Sequence, residues 1–201
     1  MKKVIVGLMA GVLSVGTFSA QANGDAEAGK KKFYTCAGCH SSPGYTNAYP
    51  TYHVPRIGGQ HAGYVVAALR DYQDGARKHG SMKGNADSLS DQDMDDIAAY
   101  VSKFRGMNSA TPVKGNPVAG KSKASACASC HTEDGNTEND MFPRLAGQYE
   151  SYLIRALKDY KSGARTNPIM MGFAFTLSDE DMLDVAAYYA SQKKGLTIPQ
   201  D

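Results

Sequence analysis

The chain has 201 residues, of which 42% are hydrophobic and 21% are charged, and its formal net charge is +2 at pH 7. A charge this close to zero argues against nucleic acid as a partner, because nucleic-acid-binding proteins present a strongly basic surface. The composition is that of a globular protein, and the length permits one domain or two small ones.

The N-terminus has the pattern of a secretory signal peptide. Lys2 and Lys3 precede an apolar run over residues 4–15, and Ala20-Gln21-Ala22 provides an Ala-x-Ala cleavage site. The run is shorter than the roughly 20 residues that cross a bilayer, so a membrane anchor is the weaker interpretation. We predict that residues 1–22 are removed and that the mature protein lies in the periplasm, with at most peripheral membrane association.

The four cysteines form two Cys-x-x-Cys-His motifs, at residues 36–40 and 127–131. In an exported protein four cysteines ordinarily predict two disulfides, but this spacing indicates another use. Two cysteines three apart on a helical turn can form thioethers with the two vinyl groups of one haem, and the adjacent His can ligate the iron. A zinc site would need ligands converging on one ion, and a thioredoxin-like dithiol would need alternating strands and helices.

The motifs therefore predict two covalently bound haems c. The predicted residues are Cys36, Cys39, Cys127 and Cys130 as thioether donors, and His40 and His131 as axial iron ligands.

The chain contains an internal duplication. Residues 56–100 align without a gap with residues 144–188, and 23 of the 45 aligned positions are identical. We predict two tandem domains, 23–105 and 116–201, joined by a linker at 106–115. The first copy is longer between its Cys motif and the aligned region, and Pro and Gly residues predict irregular structure over residues 41–55.

Each copy is predicted to be helical, because apolar residues recur at spacings of three and four. In chain order, helices are expected from about Asp25, over 61–72, after Ser90, from about Val118, over 149–160 and after Ser178. Gly29 and Gly120 occupy equivalent positions before the two Cys motifs. We predict that they allow the leading helix of each copy to cross closely against the closing helix.

Methionine is the predicted second axial ligand of each iron. Met82 and Met170 remain in register between the copies and lie in segments predicted to be non-helical, which could fold over a haem face. Met171 is the alternative in the second copy. Met94 and Met182 are also in register, but they lie on the apolar stripe of the closing helices and are predicted to pack in the core.

Histidine is a weaker candidate for that position. His53, His61 and His79 all occur in the first copy, and the register partners of His61 and His79 are Tyr149 and Asn167. A symmetric pair of distal histidines is therefore impossible. These three histidines are predicted to be loop or surface residues.

With these motifs, the chain resembles the dihaem cytochromes c of the cytochrome c4 type. The resemblance rests on the two Cys-x-x-Cys-His motifs, on Val-Pro-Arg-Ile-Gly-Gly-Gln at 54–60 and Phe-Pro-Arg-Leu-Ala-Gly-Gln at 142–148, on the methionine segments and on the paired Leu-Ser-Asp helix starts. It implies an all-α fold of two tandem cytochrome c domains, which face each other across a pseudo-twofold interface with the haem propionates nearby.

The resemblance also implies roles for two Pro-Arg pairs. Pro55 and Pro143 would offer their carbonyl groups to the ligating imidazoles, which would fix the histidine tautomer. Arg56 and Arg144 would lie near the haem propionates.

These predictions together indicate an electron carrier and not an enzyme. His/Met ligation raises the reduction potential and leaves neither iron open to a substrate. The expected partners are redox proteins, with a quinol-oxidising complex or other donor on one side and a terminal oxidase or similar acceptor, implied by the resemblance, on the other. The alternatives are the cytochrome subunit of a larger dehydrogenase and a dihaem peroxidase or gas-binding protein.

Overall fold

The computed structural model describes residues 24–104 and 111–200. The predicted signal peptide and linker residues 106–110 lie outside the described residues. The elements of the N-terminal half are α1 (Ala26–Lys32), α2 (Tyr34–His40), β1 (Thr46–Ala48), β2 (Thr51–His53), α3 (Ala62–Gln73), α4 (Gly80–Ala86) and α5 (Asp91–Ser102). Those of the C-terminal half are α6 (Pro117–Lys123), α7 (Ala128–His131), α8 (Glu150–Ser162), α9 (Pro168–Thr176) and α10 (Asp179–Ala190).

The two halves repeat one helical arrangement, as the duplication predicts. In the N-terminal half α1 and α3 pack on α5, and in the C-terminal half α6 and α8 pack on α10. Met94 and Met182 are almost completely buried in α5 and α10, which confirms that they pack in the core. Among the described residues, no helix has the length and apolar character needed to cross a membrane.

Local capping explains where the closing helices begin. The Ser90 and Ser178 side chains accept hydrogen bonds from the amides of Asp93 and Asp181, and those carboxylates accept hydrogen bonds from the serine amides in return. Each capping box satisfies two amide groups that would lack a partner at a helix N-terminus. The predicted starts of both closing helices are confirmed.

The close crossing predicted at Gly29 and Gly120 is present. A Cβ at Gly29 would lie 1.9 Å from the carbonyl oxygen of Asp96, and one at Gly120 would lie 2.0 Å from that of Asp184. Only a residue without Cβ fits at these two crossings.

Three sequence predictions require correction. The methionine segments are helical: the Met82 amide donates to His79 Nδ1 at 3.2 Å, and the Met170 amide donates to Asn167 Oδ1 at 3.1 Å. These N-caps start short helices, α4 and α9, in segments whose Gly and Pro residues suggested irregular backbone.

The second correction concerns residues 41–55, which were predicted to be irregular. They include the antiparallel hairpin β1–β2, in which Asn47 pairs with Tyr52.

The third correction concerns the histidines. His61 is 5% exposed, and its Nε2 lies 2.8 Å from the Thr137 carbonyl oxygen in the other half of the molecule. It was predicted to be a loop or surface residue, and it is buried because the interface between the halves covers it. His53 and His79 are half-buried, the first in β2 and the second as the N-cap of α4.

The C-terminal tail joins the two halves. The Thr197 amide donates to the Gly58 carbonyl at 2.9 Å, and the Gly58 amide donates to the Thr197 carbonyl at 2.8 Å. Further along, Ser41 Oγ donates to the Pro199 carbonyl. The tail therefore extends from the C-terminal half to the end of α2 in the N-terminal half.

Candidate functional site

The two motif histidines occupy equivalent buried positions at the ends of α2 and α7. His40 is 7% exposed and His131 is 6% exposed. His40 Nδ1 lies 3.0 Å from the Pro55 carbonyl oxygen, and His131 Nδ1 lies 2.9 Å from that of Pro143. The structure thus contains both hydrogen bonds that the sequence resemblance implied.

These bonds determine the chemical state of the imidazoles. A carbonyl oxygen only accepts hydrogen bonds, so Nδ1 carries the proton and Nε2 keeps its lone pair. Burial lowers the pKa of His40 and of His131, although the bond to the proline carbonyl acts in the opposite direction. Both rings are therefore neutral near pH 7, with Nε2 as the nitrogen able to bind a metal.

The cysteines lie on the same helical segments as the histidines. None of the four forms a disulfide within the described residues, and Cys36 and Cys127 are half-buried against the apolar cores of their halves. Burial raises the pKa of both thiols, so neither is activated as a thiolate for disulfide exchange. Thiols beside a neutral imidazole in an apolar surrounding fit the donor set of a covalently attached haem.

The methionine candidates differ between the halves. Met82 is half-buried and packs on the same apolar cluster as Cys36. In the C-terminal half Met170 and Met171 are both half-buried and adjacent on α9. Burial therefore leaves the choice between Met170 and Met171 open, and register alone favours Met170.

Arg56 and Arg144 lie at the interface between the halves. Arg144 is 6% exposed, and its Nη1 donates to the Gly59 carbonyl at 2.8 Å. Arg56 is 9% exposed and its Nη1 donates to the Gly147 carbonyl in the equivalent bond. In this structure the two arginines connect the halves, and their relation to haem propionates stays a prediction.

Gln60 and Gln148 are interface residues that the sequence analysis did not select. Gln148 Oε1 accepts from the Arg56 amide at 2.9 Å, and its Nε2 donates to the Arg56 carbonyl at 2.8 Å. Gln60 makes the equivalent pair of bonds with Arg144, at 2.9 and 3.1 Å. A detectable signal existed: each glutamine follows its Pro-Arg pair by the same number of residues in both copies.

Comparison with known proteins identifies the two halves. The sequence model of the family described as cytochrome c matches residues 26–104 and again 118–193. The chain belongs to the cytochrome c family. Its duplicated form is the dihaem cytochrome c4 type, and each half is a cytochrome c domain.

Individual relatives agree with this assignment. The chain is 46% identical over 88 residues to the cytochrome c4 of Pseudomonas aeruginosa, an alignment that spans 44% of each protein. It is 31% identical over 170 residues to the thiosulfate dehydrogenase electron acceptor of Stutzerimonas stutzeri, covering 78% of both. The solved structure of cytochrome c4 from Acidithiobacillus ferrooxidans superimposes with a TM-score of 0.70 and 31% identity, covering 79% of this chain and 99% of that one.

Membership of this family defines the cofactors. The cytochrome c carries two covalently bound haems c, one attached through Cys36 and Cys39 and the other through Cys127 and Cys130.

Proposed function

We propose that this dihaem cytochrome c is a periplasmic electron carrier that receives electrons from one redox protein and delivers them to another. The bound haems supply reversible one-electron chemistry at iron. The protein holds each iron through His40 and Met82 in the N-terminal domain, and through His131 and Met170 in the C-terminal domain.

The observation that supports this proposal most directly is the pair of fixed imidazoles. The carbonyl groups of Pro55 and Pro143 hold His40 and His131 in the tautomer whose Nε2 would be free to bind iron. A ligand that is held before and after each electron transfer needs little reorganisation when the iron changes charge. Two such domains in one chain suit transfer of electrons through the molecule.

The proposed donor and acceptor rest on the ligand chemistry and on the resemblance to cytochromes c of the c4 type. His/Met ligation gives high potentials. We therefore place the protein between a quinol-oxidising complex, or another periplasmic donor, and a terminal oxidase or similar acceptor. It does no bond chemistry itself, and transient docking to both partners requires complementary charge around the exposed haem edges.

A second candidate function is electron acceptor of a dehydrogenase. It is favoured by the similarity to a protein named thiosulfate dehydrogenase electron acceptor, which extends over most of both chains. In that case a separate catalytic partner would reduce one of the two haems. Reduction of the purified cytochrome by a thiosulfate dehydrogenase, and not by a quinol-oxidising complex, would favour this candidate.

Carbon monoxide binding tests whether both irons are closed. We expect the dithionite-reduced holoprotein to contain two haems per chain and to show no visible spectral change under carbon monoxide. A spectral shift in the unmodified protein would indicate an open iron, as a peroxidase or gas-binding protein requires.

Matched methionine variants identify the ligands in the same experiment. Met82→Ala and Met170→Ala should each create one carbon monoxide-binding haem, whereas Met171→Ala should bind none. Carbon monoxide binding by Met171→Ala, with none by Met170→Ala, would reassign the ligand of the C-terminal domain.

A further inference from the structure

Two arginines in equivalent positions of the repeat lie opposite each other at the domain interface. Arg77 and Arg165 form an isolated antiparallel bridge between the domains. On either side of it the Lys78 amide donates to the Ala164 carbonyl at 2.9 Å, and the Thr166 amide donates to the Ala76 carbonyl at 3.0 Å. The duplication exchanges these two hydrogen bonds, so the pseudo-twofold axis passes between Arg77 and Arg165.

Both guanidinium groups are buried in matching surroundings. Arg77 and Arg165 are 6% and 5% exposed. Arg77 Nη2 donates to Tyr64 Oη at 3.1 Å, and Arg165 Nη2 donates to Tyr152 Oη at 3.2 Å. Each guanidinium also lies over the ring of that tyrosine, 5.2 Å from the centroid for Arg77 and 5.4 Å for Arg165.

The carboxylates nearby do not balance these charges. Arg77 Nε donates to Asp71 at 2.9 Å, but Arg165 Nε lies 3.6 Å from Asp159. Asp159 is shared with Arg155, whose Nε lies 2.8 Å away without the orientation of a hydrogen bond. Three guanidinium groups therefore share two carboxylates, although the Arg155 side chain is 33% exposed. An additional anion beside the two buried guanidinium groups would be stabilised by charge-assisted hydrogen bonds.

The arginines also retain hydrogen-bond donors for such an anion. Within residues 24–104 and 111–200, the Nη1 groups of Arg77 and Arg165 donate no hydrogen bond. A cavity of about 110 Å³ is lined by both arginines, by the Asp71 carboxylate that already pairs with Arg77, and by Ala76, Tyr160, Thr166 and Asn167. By contrast, Arg144 already donates from Nε, Nη1 and Nη2 to Thr137, Gly59 and Glu138.

We propose that Arg77 and Arg165 bind propionate carboxylates of the two haems at the domain interface. Each arginine precedes the proposed methionine ligand of its domain by five residues, so the same short segment would contact a propionate and the iron. The guanidinium fork matches the geometry of a carboxylate. The inference rests on the haems proposed for electron transfer, and it adds residues that position them.

This arrangement has a consequence for the potentials. Reduction removes one positive charge from the haem iron, so a fixed guanidinium nearby favours the reduced form. Arg77→Gln and Arg165→Gln should each lower at least one midpoint potential. We expect a loss of up to tenfold in the equilibrium constant for reduction, which is about 59 mV for a one-electron couple.

The test is a spectroelectrochemical titration of the purified holoprotein variants. Arg70→Gln is the matched control, because it removes an arginine of the same domain whose side chain is 52% exposed in an ion pair with Asp91. Infrared difference spectra between the oxidised and reduced forms, with the haem carboxylates isotopically labelled, report directly on the propionates. Labelled carboxylate bands should shift in Arg77→Gln and stay unchanged in Arg70→Gln.

A lysine variant covers the case in which Arg77→Gln fails to fold. Arg77→Lys retains the charge but not the fork, so it should preserve the midpoints while still shifting the labelled bands. Midpoints and bands equal to those of Arg70→Gln in every folded variant would overturn the proposal. Haem content and absence of carbon monoxide binding are measured on the same samples, so a failure of the proposed electron-carrier function would be recognised separately.

Discussion

Gly29 shows how closely two helices of the N-terminal domain approach each other. A Cβ at this position would meet the Asp96 carbonyl oxygen at 1.9 Å and the Tyr100 Cβ at 3.0 Å, and neither atom can rotate away. We expect Gly29→Ala to separate α1 from α5 and to destabilise the protein by about 1–3 kcal/mol, the usual cost of overpacking. Urea unfolding of the holoprotein measures this.

Gly63 provides the control for that prediction. It is an exposed residue of α3, and a Cβ there would have no atom within 4 Å. Gly63→Ala should stabilise the protein by about 0.5–1 kcal/mol, because alanine loses less backbone entropy on helix formation. Equal stabilities of the two alanine variants would contradict the crossing geometry.

The sequence predicted individual residues well where chemistry or repetition singled them out. The Cys-x-x-Cys-His motifs indicated haem by their spacing, and the repeat singled out Gly29 and Gly120. The prediction from sequence was wrong for His61. Its burial depends on the other domain, and no local sequence pattern indicates a contact across an interface. Arg77 and Arg165 were passed over for the same reason, although both copies contain them.

The N-terminus of helix α10 shows how capping depends on charge. Ser178 Oγ donates to Asp181 Oδ2 at 2.6 Å, and Lys123 Nζ lies 2.9 Å from Oδ1. The hydrogen bond from Ser178 and then that from Lys123 lower the pKa of Asp181 from 3.8 to about 2. The folded protein therefore binds this proton less strongly than the unfolded chain does.

This shift predicts a specific acid dependence. A carboxyl group whose pKa is lowered on folding contributes stability that is fully present above pH 3.8 and is lost as the pH falls towards 2. The stability difference between the protein and Asp181→Asn should therefore shrink over that interval. Chemical unfolding as a function of pH measures it. Asp179→Asn is the control, because it removes an 80% exposed carboxylate of the same helix. At neutral pH it should lower the stability less than Asp181→Asn does.

Elements with strong periodicity were predicted closely, and short elements were not. The helices predicted at 61–72 and 149–160 are α3 and α8, shifted by one or two residues. The segments that contain Met82 and Met170 appeared irregular because Gly80, Gly84 and Pro168 are poor helix formers within a helix. N-caps from His79 and Asn167 were enough to start α4 and α9.

Reciprocal polar contacts join the two domains. Gln148 is 4% exposed, and it bonds both backbone groups of Arg56 while also accepting from the Tyr149 amide. Gln60 repeats the arrangement with Arg144 and His61. Because each side chain belongs to one domain and satisfies the backbone of the other, separating the domains breaks four buried hydrogen bonds.

Gln148→Leu should therefore weaken the connection between the domains. Each buried backbone group left without a hydrogen bond costs about 1–3 kcal/mol, so we expect a loss of several kcal/mol from this one change. The lost free energy stabilises the contact between the domains and not either domain by itself. We expect thermal unfolding, followed by calorimetry, to change from one cooperative transition to two.

Gln73→Leu is the control for this prediction. It separates the effect of losing a glutamine at the domain interface from that of losing a partly buried glutamine within one domain. Gln73 Nε2 donates to the carbonyl groups of Ala86 and Leu89, both in its own domain. Its replacement should lower the stability of the N-terminal domain without removing a contact between domains. If Gln73→Leu separated the transitions and Gln148→Leu did not, the coupling would depend on the stability of each domain and not on the interface. The reciprocal glutamines would then have only a local role.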